Sequence, residues 1–285
     1  MKVRKEPFVV LAFCFLVFTS AYFEWGPVKT MMDRKAVRNT LAIGDINYAN
    51  YEVIDHSAGE QPLLTVDFLK GKHFWNPQVA IWLEDSTGNY LETLLVTTST
   101  AKGLFYSGRS ASNFKESDEV KTERNDPTRR VDALPYWSHK RGQQYSDGFF
   151  SPPPDDPLPD GITSATPTSN FLFKTEPESV SQLKVFRIMV EINIAFDENE
   201  YYSEYNFPED SVYHGGTGLL GQPSIIYGVM VSKKDQDHYY IMSLLGHGHH
   251  SGTTGEIFNE LNTLTTARYI VERLVVGVNE NWYRQ

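Results

Sequence analysis

Gly246-His247-Gly248-His249-His250-Ser251-Gly252 places three of the chain's eight histidines in one glycine-flanked window. On an extended segment alternate side chains share a side, so His247 and His249 point together. Neutral imidazole is a good donor for Zn²⁺ and Cu²⁺. His250 stands beside them. His214, in Tyr213-His214-Gly215-Gly216, and His238 can add ligands from elsewhere in the chain. The candidate ligand set is therefore His247, His249, His250 and His214, with Zn or Cu as the candidate ion. The competing reading is a glycine-rich loop whose histidines bond to backbone and water. No carboxylate flanks these histidines at a recognised catalytic spacing. Asp197-Glu198-Asn199-Glu200 has oxygens enough for Ca²⁺ but lacks the spacing of a calcium loop, and reads as a solvated turn.

A second motif is Asp160-Gly161-Ile162-Thr163-Ser164-Ala165-Thr166. It resembles the flavin-attachment signature, in which flavin mononucleotide is linked through phosphate to the last hydroxyl. That resemblance implies Thr166 as the acceptor, with Asp160, Thr163 and Ala165 in matching positions. Ser164 stands where the signature has glycine. The alternative is a turn at a strand edge before Pro167. Trp75, Trp82, Trp137, Tyr201, Tyr202 and Tyr205 can form a sugar-stacking surface or serve as packing. Ser203, Ser224 and Ser251 have no nucleophile-elbow context.

These motifs must be held by strands. Pro77–Thr98 alternates on both sides of Asp85-Ser86-Thr87-Gly88-Asn89, which predicts a hairpin with Gly88 at positive φ. Val79, Ile81 and Leu83 share one face; Ala80, Trp82 and Glu84 share the other. Thr40–Ile46, Tyr51–His56, Leu63–Phe68, Phe171–Lys174, Ser224–Ser232, Tyr239–Leu245 and Leu274–Val278 read as further strands. Val185–Phe196 alternates as a strand with one buried face. Thr265 or Thr266 can cap a short helix, Ala267–Arg273. Ser107–Arg130 is polar and reads as a surface insertion, and Ser151–Pro159 as an extended connector, because proline lacks an amide donor. The fold class is mainly β: an elaborated antiparallel β-sandwich of immunoglobulin or fibronectin III-like type. It has long insertions and one short C-terminal helix.

PQVAIWLEDSTGNYLETLLV, ALPYW, DGITSATP and FRIMVEIN occur in that order between Pro77 and Asn193. Together they resemble the predicted periplasmic proteins of domain-of-unknown-function family 2271. That resemblance implies a fibronectin III-like sandwich with a redox-accessory role beside membrane reductases and flavin transferases.

Composition bounds the rest. A chain of 285 residues with 40% hydrophobic and 13% aromatic residues can bury a substantial core. A formal net charge of −10 excludes a nucleic-acid surface, which needs a basic patch. Lys2, Arg4 and Lys5, the apolar run Phe8–Phe18 and the small residues Thr19–Ala21 read as a secretory signal over 1–21, or as an N-terminal membrane anchor. The single cysteine, Cys14, lies inside that run, so a cleaved chain has no disulfide. Residues 22–39 then form a linker, 40–279 one sandwich domain with an insertion at 107–159, and 280–285 a tail. The expected function is an exported, periplasmic or secreted, non-catalytic accessory protein, redox-associated or metal-binding. Its partner would be a membrane redox protein. The alternatives are a carbohydrate- or protein-binding sandwich that meets a cell-surface glycan, or a hydrolase of unrecognised type.

Overall fold

The computed structural model describes residues 50–59, 64–105, 129–214, 221–232 and 239–278. The signal segment, the linker, Cys14, Thr40–Ile46, His238, the tail and Ser107–Thr128 lie outside the described residues. The strands are β1 (Glu52–His56), β2 (Leu64–Lys70), β3 (Gln78–Asp85), β4 (Tyr90–Thr97), β5 (Thr163–Ser164) and β6 (Phe171–Thr175). They continue with β7 (Val185–Asn193), β8 (Ile225–Ser232), β9 (Tyr239–Ile241), β10 (Ser243–His247) and β11 (Val271–Val278). Two short helices, α1 (Thr98–Lys102) and α2 (Pro135–Lys140), complete the regular elements beside single 3₁₀ turns. Among the described residues no helix is long and apolar enough to cross a membrane.

Two sheets pack face to face. One has five strands in the order β1-β6-β2-β11-β9, the other six in the order β10-β8-β7-β3-β4-β5. Pairing is antiparallel except at β1–β6 and β4–β5, which are parallel. The core between the sheets takes alternate residues from each: Leu64, Val66 and Phe68 of β2, Phe171 and Phe173 of β6, Val79, Ile81 and Leu83 of β3, and Ile188, Val190 and Ile192 of β7. This is the period of two that a sandwich core requires. Phe68 stacks on Phe171 with centroids 4.6 Å apart.

The hairpin forms as its pattern predicts. Asp85 accepts hydrogen bonds from the Thr87 and Asn89 amides, and Gly88 sits at φ 92°. Its second face is buried as well. Ala80, Trp82 and Val96 pack with Ala133, Leu134, Tyr136, Trp137, Met189 and Ile226 in a second core. The one-sided burial expected of β7 is therefore wrong: Met189, Glu191 and Asn193 are also buried. The reason is the ALPYW segment, whose Pro135–Trp137 opens α2 and which packs on the outer face of the six-stranded sheet, while Arg130 and Gln222 cover Asn193.

Two further expectations change. Tyr239–Leu245 is not one strand. It breaks at Met242, whose amide donates to the Leu274 carbonyl at 3.0 Å. β9 pairs with β11 in one sheet and β10 pairs with β8 in the other, so the chain crosses the sandwich here. The helix expected over Ala267–Arg273 is a single 3₁₀ turn, Ala267–Tyr269, followed at once by β11. No threonine side chain caps it. Gln222 Oε1 accepts the Thr265 and Ala267 amides instead, and the β-branched residues beyond prefer the ladder with β2.

Candidate metal centre

Two loops at one end of the sandwich build the site. The first, Asp197–His214, leaves β7. It folds on its own polar side chains. Asn199 Oδ1 accepts the Tyr201 and Tyr202 amides, Asn206 Oδ1 accepts the Ser203 amide, and Asp210 Oδ1 accepts the amides of Val212 and Tyr213. Phe207 sits at φ 54°, a left-handed conformation that bulky residues avoid.

The second loop, Gly248–Gly255, leaves β10. Gly248 packs where a side chain has no room. A Cβ there would lie 2.5 Å from Ser224 Oγ, 2.7 Å from Pro135 Cγ and 3.2 Å from Glu191 Oε1. Glu191 is fully buried. It accepts hydrogen bonds from the Tyr136 and Trp137 amides at the start of α2 and from the Ser224 hydroxyl. One buried carboxylate thus holds α2 and the close approach of the histidine loop together. Burial pushes Glu191 up to about 7, against the three hydrogen bonds that favour its anion.

Asp210, His249 and His250 each offer a ligand atom within 4.8 Å of the others. His250 Nε2 lies 3.0 Å from Asp210 Oδ2. The His250 ring is clamped. Phe207 stacks on it with centroids 3.7 Å apart at 10°, and His249 lies 4.1 Å away on a tilted plane. His249 Nδ1 sits among the Ser251 amide at 3.3 Å, the Ser251 hydroxyl at 3.1 Å and the Thr253 hydroxyl at 3.2 Å. All three residues line an open depression of about 590 Å³, together with Phe207, Pro208, Glu209, Ser211, Val212 and Thr253.

The electrostatics favour neutral imidazoles beside an ionised carboxylate. Burial, then the neighbouring His249, lowers His250 to about 4, although Asp210 opposes this. Burial also lowers His249, against the pull of Asp210 and Glu256. Partial burial works to raise Asp210. The Tyr213 amide, the Ser251 hydroxyl and His250 outweigh it and hold the group below the ordinary carboxylate range.

The other candidate ligands lie elsewhere. His247 ends β10, exchanges two backbone hydrogen bonds with Phe258, and has Nδ1 2.7 Å from the Gly248 carbonyl. His247 and His249 do not converge, because the strand ends between them. His214 Nε2 is 2.9 Å from the Asn206 carbonyl, within its own loop. Asp210 is the donor that sequence reasoning missed. The signal available was only that an Asp lies four residues before His214; the contact with His250 spans 40 positions.

The flavin-like segment forms the edge of the six-stranded sheet. Asp160–Ile162 is a 3₁₀ turn, Thr163–Ser164 is β5, Ala165 is exposed and Thr166 is half-buried. Asp160 pairs with Lys102 at 2.5 Å. Ser164 has no positive φ; among the described non-glycine residues only Asn76, Phe196 and Phe207 do. Of the six aromatic residues read as a stacking surface, Trp82, Trp137 and Tyr202 are buried, while Trp75, Tyr201 and Tyr205 are exposed.

Fold and site together define a two-sheet β-sandwich with a two-histidine, one-carboxylate cluster at a loop end. No protein-family model, curated protein or solved structure matches this chain.

Proposed function

We propose that this chain is a metal-binding β-sandwich that holds Zn²⁺ or Cu²⁺ on Asp210, His249 and His250. The observation that carries the reading is the convergence of those three donors from two separate loops within 4.8 Å. Two imidazoles and a carboxylate suit a borderline divalent ion. Burial lowers both imidazoles, which favours the neutral donor form. An ion held between His250 Nε2 and Asp210 Oδ2 would require the ring hydrogen now shared there to move to Nδ1. The Ser251 amide donates to His249 Nδ1, so ligation through Nε2 calls for the ring hydrogen to shift to Nδ1, where the Ser251 or Thr253 hydroxyl can accept its hydrogen bond. Phe207 fixes the plane of His250, so one ligand is ordered in advance.

The charged and apolar N-terminal segment supports export. The four motifs that resemble the periplasmic family support a redox-accessory setting for a non-catalytic protein. Calorimetric titration of Zn²⁺ and Cu²⁺ tests the metal reading. Asp210→Asn, His249→Ala and His250→Ala should each weaken binding by about a hundredfold or more, on the scale of metal-site perturbations. His214→Gln, which keeps a donor for Asn206, should bind as the parent does. Absent heat in the parent, or unchanged heat in both His249→Ala and His250→Ala, would leave a solvated histidine loop.

A further inference from the structure

Resting on that metal reading, we propose that the bound ion keeps an open coordination position and takes from solution a small monocarboxylate with a short apolar tail. Among the described residues the donor set stops at three. An ion held by three protein ligands retains an exchangeable fourth position, the arrangement that separates reactive or ligand-binding zinc sites from closed structural ones. The surroundings of the three donors fit this. They lie in the lining of the open depression, and no described side chain caps them from the solvent side as a fourth ligand.

Charge then selects the ligand's head. A divalent ion, one carboxylate and two neutral imidazoles sum to about one positive charge, which a single carboxylate neutralises. Glu209, exposed in the lining but outside the donor set, opposes any anion and a doubly charged one most. The walls select the tail. Phe207, Pro208 and Val212 give an apolar surface beside the donors. The depression, at about 590 Å³, has room for more than a carboxylate alone. The exposed Ser211 hydroxyl in the lining can donate to the second carboxylate oxygen.

Cobalt-loaded protein gives the test, because the visible bands of Co²⁺ report its ligand set. Acetate and butyrate should both shift the bands, butyrate at concentrations about tenfold lower for its two additional buried methylenes. Butylamine should leave them unchanged. Val212→Thr, close in shape but polar, should bind Co²⁺ as tightly as the parent and lose most of the preference for butyrate. Bands that neither acid moves while cobalt stays bound would overturn the open position. Equal responses to acetate and butyrate would overturn the apolar wall, and with it the proposed tail. Absence of Co²⁺ bands together with absent Zn²⁺ and Cu²⁺ heats would remove the metal reading itself, a result seen before any acid is added.

Discussion

Burial raises two carboxylates, Glu191 and Asp197, to about 7, and Glu191 is the one that joins α2 to the sheet. Its pKa is raised from 4.5 to about 7 by burial. Between those values the folded chain holds a proton that the unfolded chain has lost. Stability from this group is therefore fully present below pH 4.5 and falls as pH rises through 7, by on the order of 3 kcal/mol across the window. Buried His247 and half-buried His249 and His250 act in the opposite sense: below pH 6.5 the unfolded chain takes up their protons first. Glu191→Gln separates the two. The Tyr136 and Trp137 amides bond to different oxygens, Oε1 and Oε2, so a Gln amide loses one of these bonds and lowers stability at every pH, but it does not titrate. In urea unfolding from pH 5 to pH 8 the parent's stability relative to the variant's should fall as pH rises to 7 and then level off, because the histidines and Asp197, also raised to about 7, act alike in both chains. Parallel profiles would mean that the buried carboxylate keeps an ordinary pKa through its three donors.

At the scale of elements, α2 does more than decorate the sheet. Trp137 is fully buried in the second core, and its indole nitrogen donates to Thr93 Oγ1 at 2.9 Å. Trp137→Ala should cost about 3–5 kcal/mol, read as a lower urea midpoint with an unchanged slope. A loss below 1 kcal/mol would mean that the segment peels from the sheet at little cost. The elements also mark what could be read in advance. The hairpin was legible because its turn chemistry and its alternation agree on one register. The second buried face of β7 was not, since Arg187, Met189, Glu191 and Asn193 look like a solvent side until α2 covers them. Nor was the crossing at Met242: an alternating run looks the same whether it stays in one sheet or changes sheets midway. The residues Ala267–Arg273 failed differently. Local capping residues pointed to a helix, and long-range pairing with β2 prevailed.

For the whole molecule, the sandwich was legible from strand periodicity and the shortage of helix. The histidine loop was legible from composition. The carboxylate was not, because nothing local ties Asp210 to His250 across 40 positions of chain and several strands. That separation has a thermodynamic consequence. An ion gripped by both loops is a removable cross-link: it closes the chain between Asp210 and His249 into a ring only while the fold is intact. Unfolding must release it, so heat resistance becomes a function of free metal. Each tenfold rise in Zn²⁺ above the dissociation constant adds about 1.4 kcal/mol. For a domain of this size that is roughly 3 °C in melting temperature. Melting curves over a Zn²⁺ series should climb with the logarithm of concentration, return to the baseline with chelator, and for Asp210→Asn begin to climb only at about a hundredfold higher Zn²⁺. A flat series for the parent would mean that the two loops meet without ever being tied.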